Sequence, residues 1–164
     1  MHQFDEEEWK HLSIMNDEDI DYSVVPEPIL EKLALGNELY IANSALVELW
    51  MRETLSAAPI AAEILVTGHS DRYLQATALR VLFERDRSTA LRYMQEQAPT
   101  CDLYTLYKMM QLLTEEDGLS SSNKASLIPS ILERLKILES EETNEDIDFI
   151  DLEVKEAFFQ KYNS

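Results

Sequence analysis

The segment YIANSALVELW at residues 40–50 decides the fold, because a related segment, YLQATALRVLF, follows at residues 73–83. The two align without a gap at an offset of 33 residues (73 minus 40), with the tyrosine, the Ala-Leu pair and a later leucine identical. A weaker third copy lies at residues 103–113. Apolar residues recur every three or four positions in these segments, which predicts amphipathic helices. A period of about 30 to 40 residues indicates an all-α array of stacked antiparallel helical hairpins, an α-solenoid.

Cap signals predict where the surrounding helices begin and end. Pro28 suits a first helical position and Gly36 suits the residue just past a helix, so residues 29–35 are predicted to form a short helix. Asn37 is a candidate cap for a helix over residues 38–52. Serine is the candidate N-cap of the helices that follow, at Ser56, Ser70 and Ser88. Helix therefore follows helix with only short breaks.

The two ends of the chain depart from this regular pattern. Residues 22–25 are predicted to form an extended connector, because the residue before Pro26 is pushed out of the α region. Beyond Gly118 the polar run at residues 120–123 is typical of a loop, and Pro129 is tolerable only in the first turn of the next helix. We divide this single domain into an acidic N-terminal segment with a short helix (1–27), a helical array (28–118) and C-terminal helices with an acidic loop (119–164).

Charge separates the ends of the chain from its middle. The 32 Asp and Glu residues outnumber the 14 Lys and Arg residues, giving a net charge of −18. Residues 1–35 carry −8 (10 acids, 2 bases), residues 36–100 carry −2 (8 and 6), and residues 101–164 carry −8 (14 and 6). Runs of charge are often simply solvated surface, but this excess is larger than solubility requires. It disfavours nucleic acid and anionic membranes as partners and favours a basic protein.

The sequence contains no catalytic or metal-binding constellation above background. The three histidines lack the i, i+4 spacing of helical metal ligands, and Cys101 has no histidine near it in sequence. Residues 17–21 alternate carboxylates as a calcium loop does, but such a loop needs glycine where Tyr22 stands. We therefore predict a protein that is not an enzyme and needs no metal or cofactor.

The compartment is predicted from what the sequence lacks. The N-terminus has neither the basic nor the apolar region of a signal peptide. No window approaches the roughly 18 consecutive apolar residues that span a bilayer. A lone cysteine cannot form an internal disulfide and fits a reducing environment. These observations predict a cytoplasmic protein.

Over residues 28–115 the repeated helices resemble a short HEAT-like or armadillo-like array. Small acidic proteins with degenerate helices of this kind and no active site resemble the immunity proteins of bacterial polymorphic or contact-dependent toxin systems. That resemblance implies a monomer that binds the cognate toxin domain of its own cell, often a basic nuclease, and covers its active or substrate-binding face. The acidic surface would imitate the phosphates that the nuclease binds.

The predicted contact residues are acids of the terminal segments together with aromatic side chains outside the clearest apolar stripes, since tight binding needs aromatic anchors inside an acidic rim. They are Trp9, Asp17, Glu18, Asp19, Asp21, Tyr22, Tyr104, Glu141, Glu142, Glu145, Asp146 and Asp148.

Three alternatives remain open. A scaffold or regulatory adaptor would bind an acidic peptide through arginines of one repeat, and the candidates are Arg72, Arg80, Arg85, Arg87 and Arg92. An enzyme acting on damaged DNA bases would need a basic groove, which a net charge of −18 disfavours. For the fold, the alternative is an irregular helical bundle in which two helices are similar by chance. Salt-sensitive binding to an acidic peptide would favour the adaptor, and retention on nucleic acid would favour the enzyme.

Overall fold

The computed structural model describes residues 10–12, 14–67, 71–141 and 152–162. These residues form helices and turns without a strand, so the predicted all-α class is confirmed. None of their helices is long and apolar enough to cross a membrane. The α-helices whose bounds are described are α1 (Glu27–Ala34), α2 (Leu39–Met51), α3 (Ala57–Thr67), α4 (Arg72–Arg85), α5 (Arg87–Gln97), α6 (Leu103–Glu115), α7 (Ser121–Ser140) and α8 (Leu152–Tyr162).

The chain divides into two compact units, Met1–Asp86 and Arg87–Ser164. The division predicted from sequence, with boundaries after residues 27 and 118, does not coincide with these units and stays a prediction. In the first unit α1 packs against α2, α3 packs against α4, and α2 also packs against α4. Two helical hairpins are therefore joined through their second helices.

The repeated segments lie at corresponding places in these two hairpins. Leu46 and Leu79, which align at the offset of 33, are 0% and 1% exposed, and Leu49 and Leu82 are 0% and 2% exposed. The alanine that precedes the first leucine of each pair is fully buried, at Ala45 and at Ala78. Because small and large side chains recur in the same order, both helices pack surfaces of similar shape against their neighbours. The similarity of the two segments is therefore a similarity of packing.

Two cap predictions in the first unit are wrong by one residue. The N-cap of α4 is Asp71, whose carboxylate accepts the backbone N–H of Leu74 at 2.8 Å, whereas the predicted cap Ser70 lies outside the described residues. The N-cap of α2 is Glu38, which makes no side-chain capping bond, and Asn37 precedes it. A carboxylate adjacent to the serine competes for the same orphan N–H groups, which local sequence alone does not resolve.

The second unit contains α5 to α8, with α7 packed against α5 and α6, and α8 packed against α6. Ser88 is not a cap, because α5 already begins at Arg87 after the single residue Asp86. The buried ring of Phe158, which is 0% exposed, is the main apolar anchor of α8. Lys161 also ties α8 to the end of α6, since its Nζ donates to the carbonyl of Thr114 at 2.8 Å.

The predicted loop at residues 120–123 is wrong. Ser120 is the N-cap of α7 and its Oγ accepts the backbone N–H of Asn123 at 3.1 Å, so the other polar residues of the run form the first turn of the helix. Pro129 consequently lies inside α7 and not in its first turn. It has no N–H to donate to the carbonyl four residues earlier, at Ala125, so one helical hydrogen bond is missing there.

Candidate protein-binding surface

The acidic run before α1 folds into two short 3-10 turns, Asp17–Asp19 and Tyr22–Val24, which we call the acidic turns. Both pack against α2. The extended connector predicted for residues 22–25 is wrong except at its last residue. Only Val25, with φ −81° and ψ 131°, adopts the extended backbone that Pro26 imposes on the residue before it.

Asp17 holds the first turn against α2. Its Oδ1 accepts the hydroxyl of Tyr22 at 2.6 Å and the hydroxyl of Ser44, on α2, at 2.7 Å. Burial of the Tyr22 ring, followed by its hydrogen bond to the Asp17 carboxylate, raises the pKa of that phenol well above its ordinary value. Tyr22 therefore stays protonated and donates at every physiological pH. Both residues, predicted as partner contacts, are half-buried, and their hydrogen bonds hold the turns against α2.

Arg52 holds the second turn. Its Nε donates to Glu48 at 3.0 Å, while its Nη2 donates to the backbone carbonyls of Tyr22 at 2.9 Å and Ser23 at 3.2 Å. Together with Ser44, these contacts place the acidic turns along the edge of α2 that runs from Ser44 through Glu48 to the C-cap residue Arg52.

The remaining acids of the turns are exposed. Glu18 and Asp19 lie on the surface, and Asp19 accepts only a long hydrogen bond, at 3.5 Å, from the side-chain amide of Asn16. Asp21 is also exposed, although it accepts the backbone N–H of Ser23 at 3.1 Å and its hydroxyl at 2.6 Å. The structure thus brings five of the predicted contact residues together and separates them into two that anchor and three that face solvent.

The other predicted contact residues do not join this group in the described part of the chain. Tyr104 lies half-buried on α6, where the Nζ of Lys108 is 5.6 Å from its ring centroid. Glu141 is exposed just after α7. The remaining predicted contacts lie outside the described residues, and they are Trp9, Glu142, Glu145, Asp146 and Asp148.

Large apolar side chains on the outer face of α2 were missed by the sequence analysis. Tyr40 is 74% exposed and Met51 is 69% exposed, and their spacing of eleven residues (51 minus 40) returns them to one face of the helix. Tyr73, the counterpart of Tyr40 in the repeat, is 53% exposed. The sequence did contain a signal for this exposed position. The tyrosine is identical in both copies, yet it falls outside the buried stripe of Leu46 and Leu49.

The arginines of the adaptor alternative are largely used inside their own units. Arg85 donates to the carbonyl of Trp50 at 2.9 Å, and Arg80 pairs with Glu84 at 3.7 Å. The guanidinium of Arg72 lies 5.3 Å from the ring centroid of Tyr73, and Arg87 forms an ion pair with Glu116. Arg92 is exposed on α5. In the described residues, most of these arginines therefore contact groups of their own chain.

Cys101 is the one thiol of the chain, and it is buried. Its Sγ donates to the carbonyl of Ala98 at 3.7 Å. Burial raises its pKa to about 11, so it is protonated at neutral pH and is a poor nucleophile. Within the ranges that the structure describes, no group of three His, Cys, Asp or Glu side chains is arranged to hold a metal ion.

Comparison of the chain with protein-family models, with curated proteins and with solved structures gives no match.

Proposed function

We propose that this chain is a cytoplasmic immunity protein that binds a cognate basic toxin domain, nuclease-like in its surface chemistry, and covers its active or substrate-binding face. The observation that carries the proposal is the placement of exposed carboxylates, at Glu18, Asp19 and Asp21, on turns that hydrogen bonds hold against α2. The net charge of −18 adds a long-range attraction for a cationic protein.

The physical mechanism is competition for the cationic groups of the toxin. A nuclease presents Lys and Arg side chains to the phosphates of its substrate, and carboxylates at a fixed spacing bind the same groups. Electrostatic attraction raises the association rate, and apolar anchors slow dissociation. The exposed side chains of Tyr40 and Met51 lie on the helix that carries the acidic turns and provide such anchors.

The proposal predicts that a gene next to that of this chain encodes a protein with a basic C-terminal toxin domain, and the test pairs the chain with that domain. Co-production should restore growth of the host cell, and the purified proteins should form a 1:1 complex. The variant Glu18→Lys/Asp19→Lys should lower the association rate about tenfold at low salt, with a smaller difference at high salt.

A control variant separates the effect of the charges on the acidic turns from the effect of the net charge of the chain. Glu96→Lys/Glu133→Lys changes two exposed acids of the second unit, so both double variants change the net charge from −18 to −14. The control should keep most of the association rate. Equal rates for the two variants would place the contact away from the acidic turns, and absence of any complex with growth still inhibited would reject the proposed function.

A further inference from the structure

Large exposed apolar side chains lie on two segments that Arg52 joins, the second acidic turn and the stretch from the end of α2 into the loop before α3. Leu55 is 95% exposed, Val24 is 73% exposed and Met51 is 69% exposed. Arg52 binds the carbonyl of Ser23, the residue before Val24, and so brings the turn to this loop. We call Val24, Met51 and Leu55 the apolar triad. Exposed apolar side chains on segments that are held together are typical of binding surfaces when they form a patch.

The loop has a backbone conformation that its sequence does not favour. Helix α2 ends in a Schellman motif, in which the N–H of Glu53 donates to the carbonyl of Trp50 at 3.0 Å and the N–H of Thr54 donates to that of Leu49 at 3.2 Å. Glu53 has φ 59°, in the left-handed region where glycine is usual. A glutamate at this position sacrifices stability and gains an exposed carboxylate beside the triad.

Further carboxylates surround the triad. Glu27 accepts a hydrogen bond from the hydroxyl of Ser56, the residue after Leu55, at 3.4 Å, and its side chain is exposed. Asp21 is exposed three residues before Val24. The guanidinium of Arg52, the one cation of this loop, is bound to Glu48 and to two carbonyls. The rim of the triad is therefore acidic at Asp21, Glu27 and Glu53.

We infer that the apolar triad is the anchor site for a basic amphipathic segment of the partner protein, one that inserts apolar side chains between flanking Lys or Arg residues. This inference rests on the proposed function and specifies which part of the toxin the chain recognises. An acidic rim around an apolar centre is complementary to such a segment in both charge and polarity. A second copy of this chain is a poor occupant, because it would bring two acidic rims and two molecules of charge −18 together.

The experiment uses two fluorescent peptides of equal positive charge. One is an amphipathic peptide of about 15 residues with leucines at helical spacing among lysines and arginines, and the other has serine in place of each leucine. The full chain should bind the leucine peptide at least about tenfold more tightly than the serine peptide, measured by fluorescence anisotropy. The variant Met51→Ser/Leu55→Ser should lose this preference. The variant Glu53→Gln should weaken the binding of both peptides at low salt.

The matched control is Ile14→Ser/Val66→Ser, which removes two apolar side chains that are each 81% exposed and lie outside the triad. It should retain the preference for the leucine peptide. Equal affinity of the unmodified chain for the two peptides would overturn the inference, as would retention of the preference by Met51→Ser/Leu55→Ser. Dimers seen by sedimentation that disappear in the same variant would also overturn it, because a second copy would then be the occupant.

The toxin assay separates the two proposals. If Met51→Ser/Leu55→Ser binds the toxin domain with unchanged affinity, the anchor inference fails and the proposed function stands. If the toxin domain is not bound by the unmodified chain, the proposed function fails, while a preference for the leucine peptide that depends on the triad still establishes an anchor for basic amphipathic segments.

Discussion

The two compact units achieve their burial in different ways. In the first, α2 and α4 share a pattern of side chains, so that aligned residues such as Leu46 and Leu79 are buried to the same degree. In the second, α7 has 20 residues with Pro129 in its interior and packs against two helices, α5 and α6. Repetition in sequence therefore predicts packing where hairpins are alike, whereas α7 lies outside the aligned segments and its packing has no counterpart in them.

The comparison is tested most strongly by removing one buried leucine from each unit. Leu46 and Leu113 are both 0% exposed, so each change to alanine should lower the free energy of unfolding by about 3 kcal/mol. With Trp9 replaced by Phe, tryptophan fluorescence comes from Trp50 on α2 and follows the unfolding of the first unit. Leu46→Ala should shift the denaturant midpoint seen by fluorescence more than Leu113→Ala does.

Hydrogen exchange supplies the complementary measurement. Leu113→Ala should reduce amide protection mainly in α6, α7 and α8, and Leu46→Ala mainly in α1 to α4. Equal loss of protection throughout the chain in both variants would show that the two units unfold as one cooperative structure. The units would then differ in how their helices pack but not in their stability.

Alkaline unfolding should affect the second unit before the first. Burial raises the pKa of Cys101 from 9.0 to about 11 and that of Tyr107 from 10.0 to about 12, and it also raises the pKa of Tyr93 and Tyr162. Among the described residues of the first unit, Tyr22 is the group whose pKa is raised by burial. A raised pKa in the folded state means that the unfolded chain loses its proton first.

The stability contributed by these groups is therefore complete below about pH 9 and falls as the pH rises through the folded pKa values. Hydrogen exchange or limited proteolysis at pH 10 to 11, roughly the range between the unfolded and folded values, should show α5 to α8 opening first. In Cys101→Ala/Tyr107→Phe the loss between these pH values should become shallower. Earlier opening of α1 to α4 would contradict the prediction.

The smallest expected effect concerns the loop after α2. Glu53→Gly removes a side chain from a residue at φ 59° and should raise the free energy of unfolding by about 0.5 kcal/mol, the relief of strain being partly offset by the greater freedom of glycine in the unfolded chain. Thermal denaturation checks the sign, and Glu53→Ala, which keeps the strained conformation, is the control. A destabilised glycine variant would mean that the glutamate side chain itself stabilises the loop.

Local patterns in the sequence predicted the helices and their buried faces well, because a helix buries residues at a fixed spacing. They were less reliable at helix ends. The run at residues 120–123 has the composition of both a loop and a capped first turn, and only the hydrogen bond from Asn123 to Ser120 distinguishes them. Pro129 was misplaced for the same reason, since its position depends on where α7 begins.

The candidate surface could be predicted only in part. The acids at residues 17–21 were evident from composition, but the contact between Asp17 and Ser44 joins residues 27 positions apart, which no local pattern encodes. The exposure of Leu55 and the backbone of Glu53 depend likewise on how α2 and α3 are connected. Separating anchoring acids from solvent-facing ones therefore required the tertiary structure.

The hydrogen bonds of Asp17 and Arg52 have a consequence for the thermodynamics of association. Because Ser44 and Arg52 already hold the acidic turns on α2, a partner of the proposed kind would meet a preorganised backbone carrying the exposed carboxylates. In the proposed complex, the turns would then lose little backbone entropy on binding, so more of the interaction energy would appear as affinity. Internal polar contacts that would not touch the partner can thus contribute to the lifetime of the proposed complex.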